Sequence, residues 1–410
     1  MGAGLCLVIP VANGAQWYID PYAWLAYGSD DNPRLLILDA QSNAVTKSTA
    51  GFKINRAEDI WNTSFHGKYT RVDYSPNDAL DTNNILYEIK TSYKAEQSLW
   101  NLSASYREDS TLGDEIDADT GILFEQRTRE MNQIRPEIMF YIDNRTSISW
   151  NLDYSDSSYK DIGNIDNLFN YENTNNTLLI VRGVTERTKI LAQLGQSYFV
   201  SERADSVPPV TGEFIGTESI TINSMLGIEH KLSETINGKL FGGIRKTKSD
   251  NTIYGCVVFL GPLCLKESNV VISQDETGIS YSGQLEKKYL ASSMNLSFSR
   301  AVNPSSGGTE TINDNAMLNI SRPLSQRWHG AVLASYSTVQ TVGVDYYGYN
   351  RRISWIEPRV TWQQKSIQSG WSGSLAYRYT RLKRAIESED VERNTLNLQI
   401  RYGWSRIDIY

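Results

Sequence analysis

Apolar and polar residues alternate through most of this chain, most plainly near its end. Leu396, Leu398, Ile400, Tyr402 and Trp404 are apolar, while Thr395, Asn397, Gln399 and Arg401 are polar. Successive side chains of an extended backbone point to opposite faces, so this spacing predicts a strand with one greasy and one wet side. The same period returns at Ile85, Tyr87, Ile89 and Tyr93, at Trp100, Leu102, Ala104 and Tyr106, and at Ile148, Trp150, Leu152 and Tyr154. It returns again at Ile190, Ala192, Leu194 and Tyr198, at Ile236, Leu240 and Ile244, and at Leu290, Met294, Leu296 and Phe298. Trp328, Val332, Ala334 and Tyr336, then Trp371, Leu375, Tyr377 and Tyr379, extend the series. Weaker strands are expected near 20–28, 44–54, 60–74, 126–142, 176–186, 217–230, 270–286, 310–322 and 351–364, which brings the count to about eighteen.

The connections alternate in length. Short polar turns are expected near Asn55–Glu58, Ala95–Ser98, Asp143–Arg145, Thr185–Thr188, Lys231–Glu234, Glu286–Lys288, Pro323–Gln326 and Lys365–Gln368. Between them lie long stretches rich in Asp, Asn, Ser and Gly, such as Ser155–Asn175, Glu202–Gly216, Lys246–Asn269 and Arg381–Val391. Outer-membrane barrels sort their connections this way, with tight periplasmic turns and larger external loops. No run of eighteen apolar residues exists, so a membrane-spanning helix is excluded. A closed sheet satisfies its backbone groups between neighbouring strands and is the only β form that spans lipid. The expected fold is therefore all-β: a single closed antiparallel transmembrane β-barrel of about eighteen strands, apolar outside and polar inside. Its location would be the outer membrane of a Gram-negative bacterium, with outer-membrane lipid as its surroundings.

Composition adds a cause for the aromatics, which make up 11% of the chain with 24 Tyr and 10 Trp. Trp328 and Tyr336 share a face eight residues apart, roughly 26 Å along a strand. That is comparable, before tilt, to an apolar band between two aromatic girdles. The net charge of −7 comes from intermixed acids and bases, so no basic face points to nucleic acid. Residues 1–15 hold a short apolar stretch ending in small residues, similar to the core and cleavage site of a secretory signal, although no basic segment leads it. The alternative is an apolar tail. The barrel is expected over 16–410. Leu5 and the apolar residues after Cys6 argue against a lipid-modified cysteine there.

Strand parity assigns residues to the lumen. The expected lining is Glu88, Lys90, Lys94, Asn101, Arg107, Arg135, Glu137, Glu229, Lys239, Arg245, Arg359, Arg378, Gln399 and Arg401. Bases outnumber acids in that set, which would favour anionic solutes. In a water-filled lumen nothing demands that Lys90, Arg107 or Arg401 be paired. Cys256 and Cys264 share one long loop and are expected to form a disulfide in an oxidising compartment. No metal site, cofactor or catalytic group is expected. The three histidines, His66, His230 and His329, lack an adjacent Ser-plus-acid constellation, and the acidic stretch Asp109–Asp119 lacks a regular calcium-ligand spacing. Apolar parity changes after Pro358, from Ile353 and Trp355 to Ile356, Val360 and Trp362, which predicts a bulge.

The opening Gln16-Trp-Tyr-Ile-Asp-Pro-Tyr-Ala-Trp-Leu-Ala-Tyr-Gly-Ser-Asp-Asp-Asn32 and the ending Arg401-Tyr-Gly-Trp-Ser-Arg-Ile-Asp-Ile-Tyr410 carry a resemblance. Both are similar to the ends of the outer-membrane β-barrel porins found with exopolysaccharide and exosortase gene clusters. That resemblance implies export of a polysaccharide, periplasmic export partners, and a terminal strand read by the barrel-assembly machinery. Three function classes stay open: an exopolysaccharide conduit, a general diffusion porin, and a non-conducting structural or adhesive surface barrel.

Overall fold

The computed structural model describes residues 16–36, 40–111, 127–160, 168–204, 213–260, 263–289, 291–342, 350–364, 370–384 and 390–409, with only the backbone at 257–260 and 263–267. Its first strands are β1 (Gln16–Asp30), β2 (Asn43–Ala57), β3 (Trp61–Ser75), β4 (Thr82–Lys94), β5 (Ser98–Ser110), β6 (Thr128–Asp143) and β7 (Thr146–Lys160). There follow β8 (Phe169–Gly183), β9 (Thr188–Arg203), β10 (Phe214–Lys231), β11 (Ile236–Ile253), β12 (Cys256–Leu260), β13 (Leu263–Glu267) and β14 (Val270–Lys288). The chain finishes with β15 (Ser293–Pro304), β16 (Glu310–Pro323), β17 (Trp328–Thr341), β18 (Arg351–Gln363), β19 (Gly370–Arg384), β20 (Val391–Gly403) and β21 (Ile407–Ile409).

Eighteen of these strands form one closed antiparallel barrel, each paired with its neighbours in sequence. β12 and β13 make a separate hairpin outside the wall, and β21 continues β20 after a break. Closure joins the two ends of the chain, with Tyr22 opposite Gly403 and Asp30 opposite Thr395. The outer end of that seam is tied by side chains: Asp31 accepts from the backbone N–H of Asn394 at 2.6 Å and from its amide at 2.7 Å. Arg393 forks onto Asp30 beside it.

One face of the wall strands carries the exposed apolar residues. Leu226 is 69% exposed, Ile244 65% and Ile222 56%, values that only a non-aqueous exterior makes tolerable across a whole barrel. Aromatics border this belt. Toward the short turns Trp61, Tyr93 and Trp100 are register neighbours. Toward the long loops the tyrosines end in polar caps: Tyr106 donates to Glu130 at 2.8 Å, Tyr198 to Glu218 at 3.0 Å, and Tyr379 to Glu392 at 2.8 Å. Each ring thus lies in the apolar layer while its hydroxyl reaches a polar one.

Several expectations need correction. The strands run further outward than the alternation showed: β7 reaches Lys160, β8 starts at Phe169 and β11 continues to Ile253. Above the belt both faces are wet, so no apolar parity marks the extension. Glu286–Lys288 belongs to β14, and the turn follows it; Ala57 likewise ends β2 rather than lying in a turn. β15 begins at Ser293, while Leu290 and 365–369 lie outside the described residues. No bulge occurs at Pro358. Its register with β17 is unbroken, and the register with β19 is the same on both sides of it, Ile356 opposite Tyr379 and Arg359 opposite Ala376. The parity changes because Ile353 and Trp355 face inward, where Leu35 from the first outer loop packs against Ile353, Leu382 and Val391, with Trp355 beside them.

Candidate channel lumen

The inner wall is the face opposite the apolar belt. On β4, Tyr87 and Ile89 are exposed outward, so Glu88, Lys90 and Lys94 take the inner face. The same parity puts Asn101, Arg107, Arg135, Glu137, Glu229, Lys239, Arg245, Arg359, Arg378, Gln399 and Arg401 on that face, through register partners that face the same way.

Most of these side chains have partners. Lys90 pairs with Glu88 at 2.7 Å, Arg107 with Asp109 at 3.8 Å, Arg135 with Asp153 at 2.9 Å, and Glu229 with Lys189 at 3.2 Å. Asn101 donates to Glu137 at 3.0 Å. Glu357 holds both Arg359 and Arg378, and Glu276 holds Arg245. Lys239 lies over Phe241 at 5.1 Å and Arg401 over Tyr22 at 4.8 Å. Desolvation does not require these pairs. They form because residues two apart on one strand, or opposite on the next, share a face a few ångströms apart, and the solvated ones contribute only about 0–1 kcal/mol each. The buried pair is different: Asp109 and Arg129 are 2% and 4% exposed, and Arg129 forks onto both Asp109 oxygens at 3.0 Å.

The charge is unevenly spread. Basic residues concentrate on β18–β20 and β1–β6. The wall at β15–β17 instead presents Asn295, Ser297, Asn315, Asn319 and Ser335, with Met317 and Leu333 among them, an uncharged surface rich in amides and hydroxyls. His66 joins the basic side and shares a 2.7 Å hydrogen bond with the Tyr22 hydroxyl. His230 bonds Thr188 at 2.9 Å.

An inward projection that alternation along single strands does not reveal sits opposite the basic arc. β14 pairs with β11 out to Val270, but with β15 only as far as Tyr281 opposite Arg300. Beyond Arg300 β15 parts from β14, while β16 stays paired with β17 out to Thr311 opposite Thr341, and the β15–β16 tip reaches inward. Its tip, Ser305 to Glu310, is buried. Ser306 C=O accepts from the Phe169 N–H at 2.9 Å, Gly308 C=O from the Ser201 hydroxyl at 2.5 Å, and the Glu310 carboxylate from the Ser219 hydroxyl at 2.6 Å. Thr221 reaches the same carboxylate at 3.4 Å. The tip therefore spans from β15–β16 to the inner faces of β8, β9 and β10. Gly308 has φ +78°, and a Cβ there would lie 2.5 Å from the Phe169 ring, so glycine is required on two counts. Two other loops also turn in: Leu35 as described, and Leu80, which packs on Val45, Val72 and Tyr74. The sequence signal was present in residues such as Ile353, Val45 and Phe199, which are apolar on the face that should be wet.

Cys256 is disulfide-bonded. The backbone of Cys264 lies in β13, opposite Phe259; its side chain is outside the described residues, as are 1–15 and 112–126. Among the described residues no group of three or more His, Cys, Asp or Glu could hold a metal ion.

No family model matches the sequence, and no curated protein matches it. Solved structures do match. OccAB3 of Acinetobacter baumannii is 10% identical over 97% of this chain and 100% of its own, with a TM-score of 0.44. The outer membrane protein OpdK of Pseudomonas aeruginosa is 10% identical over 95% and 99%, with a TM-score of 0.42. A BenF-like porin from Pseudomonas fluorescens Pf-5 is 8% identical over 97% and 99%, with a TM-score of 0.43. The functional reading accordingly rests on the chain's own residues. They make a membrane-spanning β-barrel: a closed wall, an apolar exterior and a polar interior.

Proposed function

We propose that this barrel is a passive channel that favours anionic, hydroxyl-rich solutes, and that its extended substrate is an acidic exopolysaccharide leaving the cell. The observation that carries the reading is the inner wall, where by strand parity cations exceed carboxylates about two to one. Paired guanidinium groups keep spare donors, and the amide and hydroxyl wall at β15–β17 suits neutral sugar hydroxyls. Together they offer a track for a polymer bearing both. Periplasmic export components would deliver that polymer to the short-turn end, and the barrel would itself carry out no chemistry.

The inward hairpin favours a second reading. A fixed narrowing across the lumen is what a general diffusion porin needs to sieve small anions. Both readings share one test. Purified protein in planar bilayers under a tenfold potassium chloride gradient should give a reversal potential displaced toward that of chloride. Displacement toward potassium would overturn the anionic reading, and absence of any current would favour a structural surface barrel. Loss of secreted polymer on gene deletion, with diffusion of small anions unchanged, separates the conduit from the porin.

A further inference from the structure

We propose that a dent in the inner wall, formed by β1, β2 and β18–β20, is a subsite for the carboxylate of an acidic sugar residue; this rests on the anion-favouring lumen above. Register creates the dent. One row across the wall runs Val45, Gly28, Asn397, Ala376 and Arg359, and the row below it begins Lys47, Ala26, Gln399. Three adjoining inner positions, Ala26, Gly28 and Ala376, have little or no side chain. They leave a cavity of about 240 Å³. A Cβ at Gly28 would meet the Leu396 carbonyl oxygen at 2.1 Å, so that part of the floor must stay bare.

Cations surround the bare floor: Lys47 on one side, Arg359 on the other, Arg378 and Arg393 toward the outer mouth. Two buried carboxylates orient the arginines. Glu357 accepts from Arg378 Nε at 2.8 Å and also holds Arg359, while Asp30 accepts from Arg393 Nε at 3.0 Å. Arg378 is further fixed by stacking over Trp355, 4.5 Å from its centroid. Arg359 and Arg393 each carry five N–H donors, more than their one carboxylate partner takes up. Orientation of this kind favours planar, two-point recognition of a second carboxylate. The floor also offers an unused acceptor: Asn397 Oδ1 is buried with no hydrogen-bond partner among the described residues. A carboxylate flanked by hydroxyls, as in a uronic acid, meets both demands at once. A plain inorganic anion meets only the first.

The test is block of single-channel current by two sugars of equal size, the trimer of galacturonic acid and maltotriose. Wild type should be blocked by the galacturonate trimer at concentrations at least about tenfold lower. Ala376→Leu fills the dent without altering charge, and Arg378→Gln removes a fork; each should weaken that block by about tenfold or more. Arg322→Gln, on the outer face of β16 and off the lumen, should change it less than about threefold. Folding is verified by heat-dependent gel migration, and Ala376→Val replaces the leucine variant should that one fail to fold. Equal block by the two trimers overturns the proposal, and so does full galacturonate block in a folded Ala376 variant. The reversal potential keeps the two readings apart: if wild type prefers cations, the lumen reading fails, whereas anion preference with equal block by both sugars removes the subsite alone.

Discussion

Releasing the inward hairpin should enlarge the channel, and Glu310→Ala is the cleanest way to release it. The carboxylate accepts from Ser219 at 2.6 Å and from Thr221 at 3.4 Å. Both donors are buried on the inner face of β10, so the substitution removes an acceptor and leaves hydroxyls without it. A hydrogen bond is worth about 0.5–1.5 kcal/mol to a neutral carboxyl and about 1.5–3 kcal/mol to an ionised one. The docked-to-released ratio should therefore fall by roughly two- to 150-fold. Ser306 to Phe169 and Gly308 to Ser201 are ties through backbone groups, so Ser201→Ala with Glu310→Ala should go further. Single-channel recording reads the result directly, as a higher mean conductance or flicker between two levels. Trimming Ser305–Thr309 to a tight turn gives the limiting conductance. If that trimmed barrel folds and conducts no more than wild type, the hairpin does not narrow the path and the reasoning fails.

Two further expectations test the wall itself. Leu226→Arg puts a cation in the middle of the belt and should cost about 2–4 kcal/mol, measured as a lower urea midpoint for folding into lipid vesicles; an unchanged midpoint would mean lipid does not contact that face. Arg129→Leu removes the fork on the buried Asp109 carboxylate, leaving it the longer 3.8 Å contact with Arg107, and should cost up to about 3–5 kcal/mol, seen as a lower temperature for loss of the compact gel band, with Asp109→Asn plus Arg129→Leu recovering part of it.

Legibility followed the solvent. Where lipid touches one side and water the other, as from Leu396 to Trp404, every residue declares its face, and the strand count and the parity of Lys90 or Arg401 could be read directly. Beyond the belt that contrast disappears, so the outer ends of β7, β8 and β11 were read as loop. The inward loops defeated the method differently. Ile353 and Trp355 obey the rule that apolar residues avoid water, but their cover is Leu35, more than three hundred residues away in sequence. Alternation along one strand carries no information about such a lid. The dent at Ala26, Gly28 and Ala376 is hidden for the same reason, since three unremarkable small residues on two strands, β1 and β19, come together only through register.

The seam between β1 and β20 has a bearing on assembly. Asp30 and Asp31 reach partners 363 positions later, so the cylinder cannot seal until its last hairpin has been delivered. Until then the chain presents two raw strand edges, among the slowest kind of contact to form and the most prone to wrong partners. The two edges thus meet only in the last step of closure, and the carboxylates at the rim serve as the final clasp.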